Sequence, residues 1–78
     1  MSDINLADVT IHIDKDTDSD TRQNVESALR AVSGVISVHM PSKESHLVVV
    51  EYNRDATTSS HLLEMVEDVV GHAELIGL

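Results

Sequence analysis

The sequence predicts a two-layer α+β sandwich with elements in the order β-α-β-β-α-β. Three observations point to it. Val9, Ile11 and Ile13 alternate with polar residues, the period of a strand with one buried face. Two separate stretches repeat apolar residues at helical spacing, and a short polar turn joins two consecutive β-rich runs.

The first strand carries Val9, Ile11 and Ile13, and a polar loop from Asp14 to Asp20 follows it. A helix is expected next, because Val25, Ala28, Leu29 and Val32 fall at i, i+3, i+4 and i+7. Asp18, Ser19 and Asp20 are suitable N-caps and place negative charge at the positive end of the helix dipole. Gly34 is read as the left-handed cap ending that helix. Val35 to Met40 reads as a second strand, Pro41 and Ser42 to Ser45 as a turn, and His46 to Tyr52 as a third strand. The short turn makes these two a hairpin. Thr57 or Thr58 caps a second helix with Leu62, Met65, Val66 and Val69 on one face. Gly71 punctuates, and Ala73 to Ile76 forms a short last strand.

Two helices cannot cover both faces of a four-stranded sheet, so they pack on one face and leave the other open. Right-handed crossovers then select the antiparallel ferredoxin-like arrangement with strand order 4-1-3-2. A single domain over residues 1–78 is expected, with 1–7 as a loose N-terminal segment.

Composition narrows the function. Of 78 residues, 41% are apolar, but Phe and Trp are absent and Tyr52 is the only aromatic residue. The core must come from Val, Leu, Ile, Ala and Met. Fourteen acids oppose five Lys and Arg, a formal net charge of -9. Such a surface repels phosphate backbones and favours cations or basic protein surfaces, so nucleic acid is excluded as a partner. With no cysteine, disulfides, thiolate catalysis and thiolate metal sites are excluded. No signal-peptide layout or membrane-spanning apolar run is present, and a cytoplasmic protein without membrane insertion is expected.

Asp14, Asp16, Asp18 and Asp20 place four carboxylates on one loop, a donor type that suits hard cations such as Ca²⁺ or Mg²⁺. The start imitates an EF-hand loop. The match then fails, with Ser19 at the sixth position and Val25 at the twelfth. The alternative is a solvated loop whose acids favour the helix dipole. Five histidines raise a Zn²⁺, Ni²⁺ or Cu²⁺ hypothesis. His12 and His39 both point to the open face, yet a strand between theirs separates them by about 10 Å. His46 opens the third strand and His61 lies in the first turn of the second helix. On the open face, His12 and His39 with Leu47 and Val49 are expected to form an apolar patch with polar edges, a candidate contact surface. No nucleophile elbow, P-loop or dinucleotide fingerprint occurs, and no enzymatic activity is expected.

Val25-Glu-Ser-Ala-Leu29, then Val32-Ser-Gly-Val35 and Val38, resembles the V-E-x-A-L and G-V stretches of heavy-metal-associated domains, the family of copper chaperones and transporter domains. Tyr52-Asn-Arg-Asp-Ala56 with Leu62 is similar to the family's Y-D-P-A entry into its second helix. The likeness spans residues 8–78 and rests on scaffold residues, so it speaks for fold more than for function. The family's metal motif is G-M-x-C-x-x-C. Its cysteine positions fall on Asp18 and Thr21, and its Gly-Met pair on Lys15 and Asp16. Soft thiolates suit Cu(I) and oxygen donors do not, so Cu(I) delivery is not carried over. The resemblance also implies that His72, after Gly71, lies beside the altered motif near Asp18 and Thr21.

Three functional readings remain open. The first is a degenerate heavy-metal-associated domain acting as a protein-interaction or regulatory module, with a basic partner or self-association through the open face or an edge strand. The second binds a hard or borderline divalent cation through Asp14, Asp16, Asp18, Asp20, Thr21 and His72. The third is a small-ligand regulatory domain of the ACT kind, which shares the element order.

Overall fold

The computed structural model describes residues 5–14, 17–41, 43–44 and 46–76. Six elements follow in the expected order: β1 (Leu6–Ile13), α1 (Ser19–Arg30), β2 (Val35–His39), β3 (Leu47–Asn53), α2 (Ser59–Val70) and β4 (Ala73–Ile76). All strand pairings are antiparallel, in the order β2-β3-β1-β4. This is the expected 4-1-3-2 order read from the opposite edge.

β1 is the central element, paired with β3 on one side and β4 on the other. It begins earlier than the alternation of Val9, Ile11 and Ile13 suggests. Leu6 and Ala7 pair with Asn53 and Tyr52, so the loose segment expected over 1–7 gives up its last two residues to the sheet. The longer ladder satisfies backbone groups that a coil would leave to water. Val9, Ile11 and Ile13 are buried on the helical side, on the same sheet face as Val48, Val50 and Tyr52 of β3 and Val38 of β2.

α1 buries Val25 and Leu29, with Ala28 half-buried beside them. It ends at Arg30 with Ala31 as C-cap, earlier than the expected stop at Gly34. Tight backbone bonds from Ala31 to Ser27 (3.1 Å), Val32 to Leu29 (3.0 Å) and Val35 to Val32 (3.2 Å) consume the last carbonyls. Gly34 sits beyond them at φ +101°, where its carbonyl accepts the Asn53 amide at 2.8 Å. The glycine therefore turns the chain into β2 and ties that turn to the end of β3.

α2 is capped by Thr58, whose hydroxyl accepts the His61 amide at 3.1 Å. It buries Leu62, Val66 and Val70, with Met65 and Val69 half-buried at the margins. The stripe is thus centred on an i, i+4, i+8 row, slightly rotated from the expected one. Gly71 closes the helix at φ +92°, its amide donating to Glu67 at 2.8 Å. The helices pack on each other and on one sheet face. In β3 the buried residues are Val48, Val50 and Tyr52, while Leu47, Val49 and Glu51 are half-buried and point the other way. In β2 an extra residue, Ile36, interrupts the register between Val35↔Tyr52 and Ser37↔Glu51. This β-bulge leaves Ile36 half exposed on an edge strand.

Candidate functional site

Two places collect the residues of interest: the loop between β1 and α1, and the uncovered sheet face.

In the loop, Asp18 is the N-cap of α1. Its extended backbone (φ -79°, ψ 175°) lets Oδ1 accept the Thr21 amide at 2.7 Å. The bond from the Thr21 backbone, reinforced by the Thr21 side chain, holds the Asp18 carboxyl below its ordinary value of 3.8. The two positions that would carry cysteines in the resembling family are therefore joined here by a capping bond. Asp20 lies exposed in the first turn and Thr21 is half-buried. Asp14 is exposed, and Asp16 lies outside the described residues.

The Asp14 amide donates to the His72 carbonyl at 3.4 Å, so the turn after α2 does lie against the start of this loop. The His72 ring itself is turned to β4, with Nε2 3.6 Å from Glu74 Oε1. Among the described residues, no three His, Asp or Glu side chains converge as a metal-holding group. The loop offers oxygen donors, one of them committed to capping, and no sulfur. It does not fit a soft ion such as Cu(I).

The capping role has a measurable consequence. Asp18→Ala is expected to lower the melting temperature and to speed amide exchange in the first turn of α1. Asp18→Asn, which keeps an oxygen acceptor, should retain most of the effect. Because the folded carboxyl is held below its unfolded value, its stabilising contribution is present above that value. It is lost as pH falls through the lower folded one. Circular-dichroism melts from neutral to strongly acidic pH should show that this acid-sensitive increment is missing in both variants.

A groove of about 400 Å³ beside the loop is lined by Thr17, Ser19, Arg22, Gln23, Glu26 and Met40. Its cation is already engaged: Arg22 Nη2 donates to the carbonyls of Met40 (3.0 Å) and Pro41 (3.2 Å). Arg22 fastens α1 to the end of β2.

On the open face, the register sets three rows across the strands. Ser37, Glu51 and Asp8 form one, His39, Val49, Thr10 and Ile76 the next, and Leu47, His12 and Glu74 the third. His12 and His39 are separated by β3. Asp8 stands directly opposite Glu51, and Ser37 Oγ donates to Glu51 Oε1 at 3.5 Å. Among the described residues, Leu6, Ile36 and Ile76 are the exposed large apolar ones, at 49%, 50% and 40%. None of the four strands contains Lys or Arg.

One pair was not anticipated from sequence. The His46 ring stacks on His12, with centroids 5.8 Å apart and planes at 17°. Sequence places His46 at the start of a strand, whereas it lies in the turn before Leu47. Only the β1–β3 register, which pairs His12 with Leu47, brings the residue before Leu47 against His12.

No protein-family profile matches the chain, and no curated protein does. Solved structures do. A copper binding domain from HMA7, a P-type ATPase, aligns with TM-score 0.78 at 21% identity over 90% of this chain and 93% of that one. Oxidized MerP from Ralstonia metallidurans CH34 aligns with TM-score 0.80 at 21% identity, covering 92% of this chain and 99% of that one. The CopZ metallochaperone aligns with TM-score 0.68 at 20% identity, covering 91% and 98%. At such identities the likeness is one of architecture. The chain has the ferredoxin-like fold of the heavy-metal-associated domains, built without a single cysteine.

Proposed function

We propose that this chain is a non-catalytic protein-interaction domain that docks a basic protein surface on its open sheet face. The carrying observation is the charge of that face. Its polar rows hold Asp8, Glu51 and Glu74, and its strands contain no Lys or Arg. Like charges directly opposite on neighbouring strands, as at Asp8 and Glu51, are destabilising in the free domain. A partner's Lys or Arg relieves that repulsion, while Leu6, Val49 and Ile76 supply apolar contact beside it. Electrostatic complementarity of this kind steers encounter and fixes specificity. The face is favoured over strand addition at β2, because the Ile36 bulge interrupts the register of that edge strand.

A second reading, a cation held by Asp14, Asp16, Asp18, Asp20, Thr21 and His72, draws support from the Asp14–His72 backbone bond. The capping of Thr21 by Asp18 weighs against it.

A cationic peptide of alternating Lys and Val, titrated into the labelled domain, tests the docking reading by NMR. Shifts are expected at Asp8, Thr10, Val49 and Glu51. Glu51→Lys should weaken binding about tenfold or more and reduce its salt dependence. The same change converts a like-charge pair into an opposite one, raising stability by about 0.2–1 kcal/mol. Shifts confined to α1 and α2, or unchanged binding by the more stable variant, would refute the proposal.

A further inference from the structure

We propose that the groove at the N-terminus of α2 binds the phosphate group of a small molecule. The site stands independently of the docking reading. It lies where β3 finishes and β1 starts, at the end of the sheet away from the Asp loop. Tyr52, Arg54, Thr57, Thr58 and Ser59 line a groove of about 290 Å³ there. That volume is at the small end for ligand sites, with room for a phosphate and little of the molecule that carries it.

The residue that points to a ligand is Thr57. It is only 8% exposed, and its Oγ1 is buried without a hydrogen-bond partner. Buried polar groups are nearly always paired, because an unmade bond leaves their desolvation uncompensated. A Cβ on Gly34 would lie 3.4 Å from Thr57 Cγ2. The methyl group is therefore turned to the Gly34 turn, and the hydroxyl is left for the groove that the residue lines. The backbone here is fixed, since the Ala56 and Thr57 amides both donate to the Asn53 carbonyl, at 3.0 and 3.2 Å.

The helix supplies further donors. The first amides of a helix have no acceptor within it. The His61 amide is taken by Thr58 Oγ1 at 3.1 Å, which leaves those of Ser59 and Ser60 for an incoming oxygen. Thr58 Oγ1 still has its own O–H to donate. No acid in the first turn of α2 neutralises this positive end, whereas α1 carries Asp18 and Asp20 at its own.

Arg54 brings the charge. Arg22 and Arg30 are engaged within the fold. The exposed Arg54 guanidinium has no hydrogen bond or ion pair among the described residues and can fork onto two phosphate oxygens. Asp55 beside it is exposed and does not line the groove. The net charge of -9 opposes the approach of an anion, so these local donors must carry the affinity. Because Thr57 Oγ1 is covered in the free protein, the phosphate seats first on Arg54 and the two amides. It gains the Thr57 hydroxyl as the turn adjusts.

The test is a titration of the whole labelled chain with sodium phosphate at neutral pH, ionic strength being held constant with NaCl and followed by amide NMR. Shifts are expected at Ser59 and Ser60 and not in the first turn of α1. Arg54→Gln and Thr57→Val should each weaken binding by more than about fivefold. Lys43→Gln removes the same charge at the other end of the sheet and should leave binding unchanged. Thr57→Val should also raise the melting temperature, because it deletes a buried hydroxyl that has no partner. Glycerol 3-phosphate should move the same amides. Tighter binding than that of inorganic phosphate marks a phosphomonoester as the ligand, and equal binding marks the free ion. Melting curves confirm that each variant is folded, and Arg54→Gln carries the test if Thr57→Val is not. Equal weakening by Arg54→Gln and Lys43→Gln, unchanged binding in a folded Thr57→Val, or the same shifts with NaCl alone would overturn the proposal.

Discussion

Leu62→Ala is expected to destabilise the domain by about 3 kcal/mol, the middle of the range for a fully buried leucine. Leu62 has no exposed surface and lies in the core cluster with Val9, Ile11 and Leu29. The lost methyl groups forfeit their transfer energy and leave a cavity. How far the surrounding core can collapse into that cavity sets the cost within the range. A domain of this size has roughly 4–12 kcal/mol of stability in all, so this one change removes a large share. Urea unfolding should show a lower midpoint with little change in slope. Leu6→Ala, at a half-exposed site on the open face, should cost no more than about 0.5 kcal/mol. Equal costs for the two would mean that the sheet face, and not the helix–sheet interface, holds the fold together.

The second large effect is at Gly34. Its φ of +101° is a conformation L side chains rarely adopt, and a Cβ placed there would lie 2.6 Å from the Ala56 Cβ. Gly34→Ala should therefore combine a backbone cost of about 1–2 kcal/mol with an overpacking cost of about 1–3 kcal/mol. Gly71 isolates the first part, because its φ is +92° but a Cβ would meet nothing within 4 Å. Gly71→Ala is expected to show the backbone cost alone. Pairing Gly34→Ala with Ala56→Gly removes the clashing carbon and should bring the cost down to the Gly71 value. Thermal unfolding of this double-mutant cycle measures the coupling directly. If Gly34→Ala costs no more than Gly71→Ala in either background, the close approach of the two turns is not a constraint on the fold.

These sites differ in how visible they were in advance. Leu62 was legible, because a residue repeating with Met65, Val66 and Val69 at helical spacing has to face a core. Gly34 was legible as special and misread in role. A glycine after a helix invites a cap assignment, yet the helix ends at Arg30, and the Asn53–Gly34 bond between distant segments fixes the actual turn. Asp18 was legible as an N-cap, since capping depends on residues three apart in the chain. The position of Ile36 was not, because a bulge exists only relative to a partner strand.

Local periodicity determined the element order, the buried sets of β1 and α1 and the single covered face, and composition determined the missing thiolates and the acidic surface. Each of these depends on residues within a turn or two of one another, or on counts along the chain. Tertiary structure alone decided that Asp8 meets Glu51, and that His46 covers His12 with Glu74 on its other side. A one-residue slip in register moves every side chain of a strand to the opposite face. Two registers of equal local propensity therefore read alike in sequence, and only the packing of the whole core chooses between them.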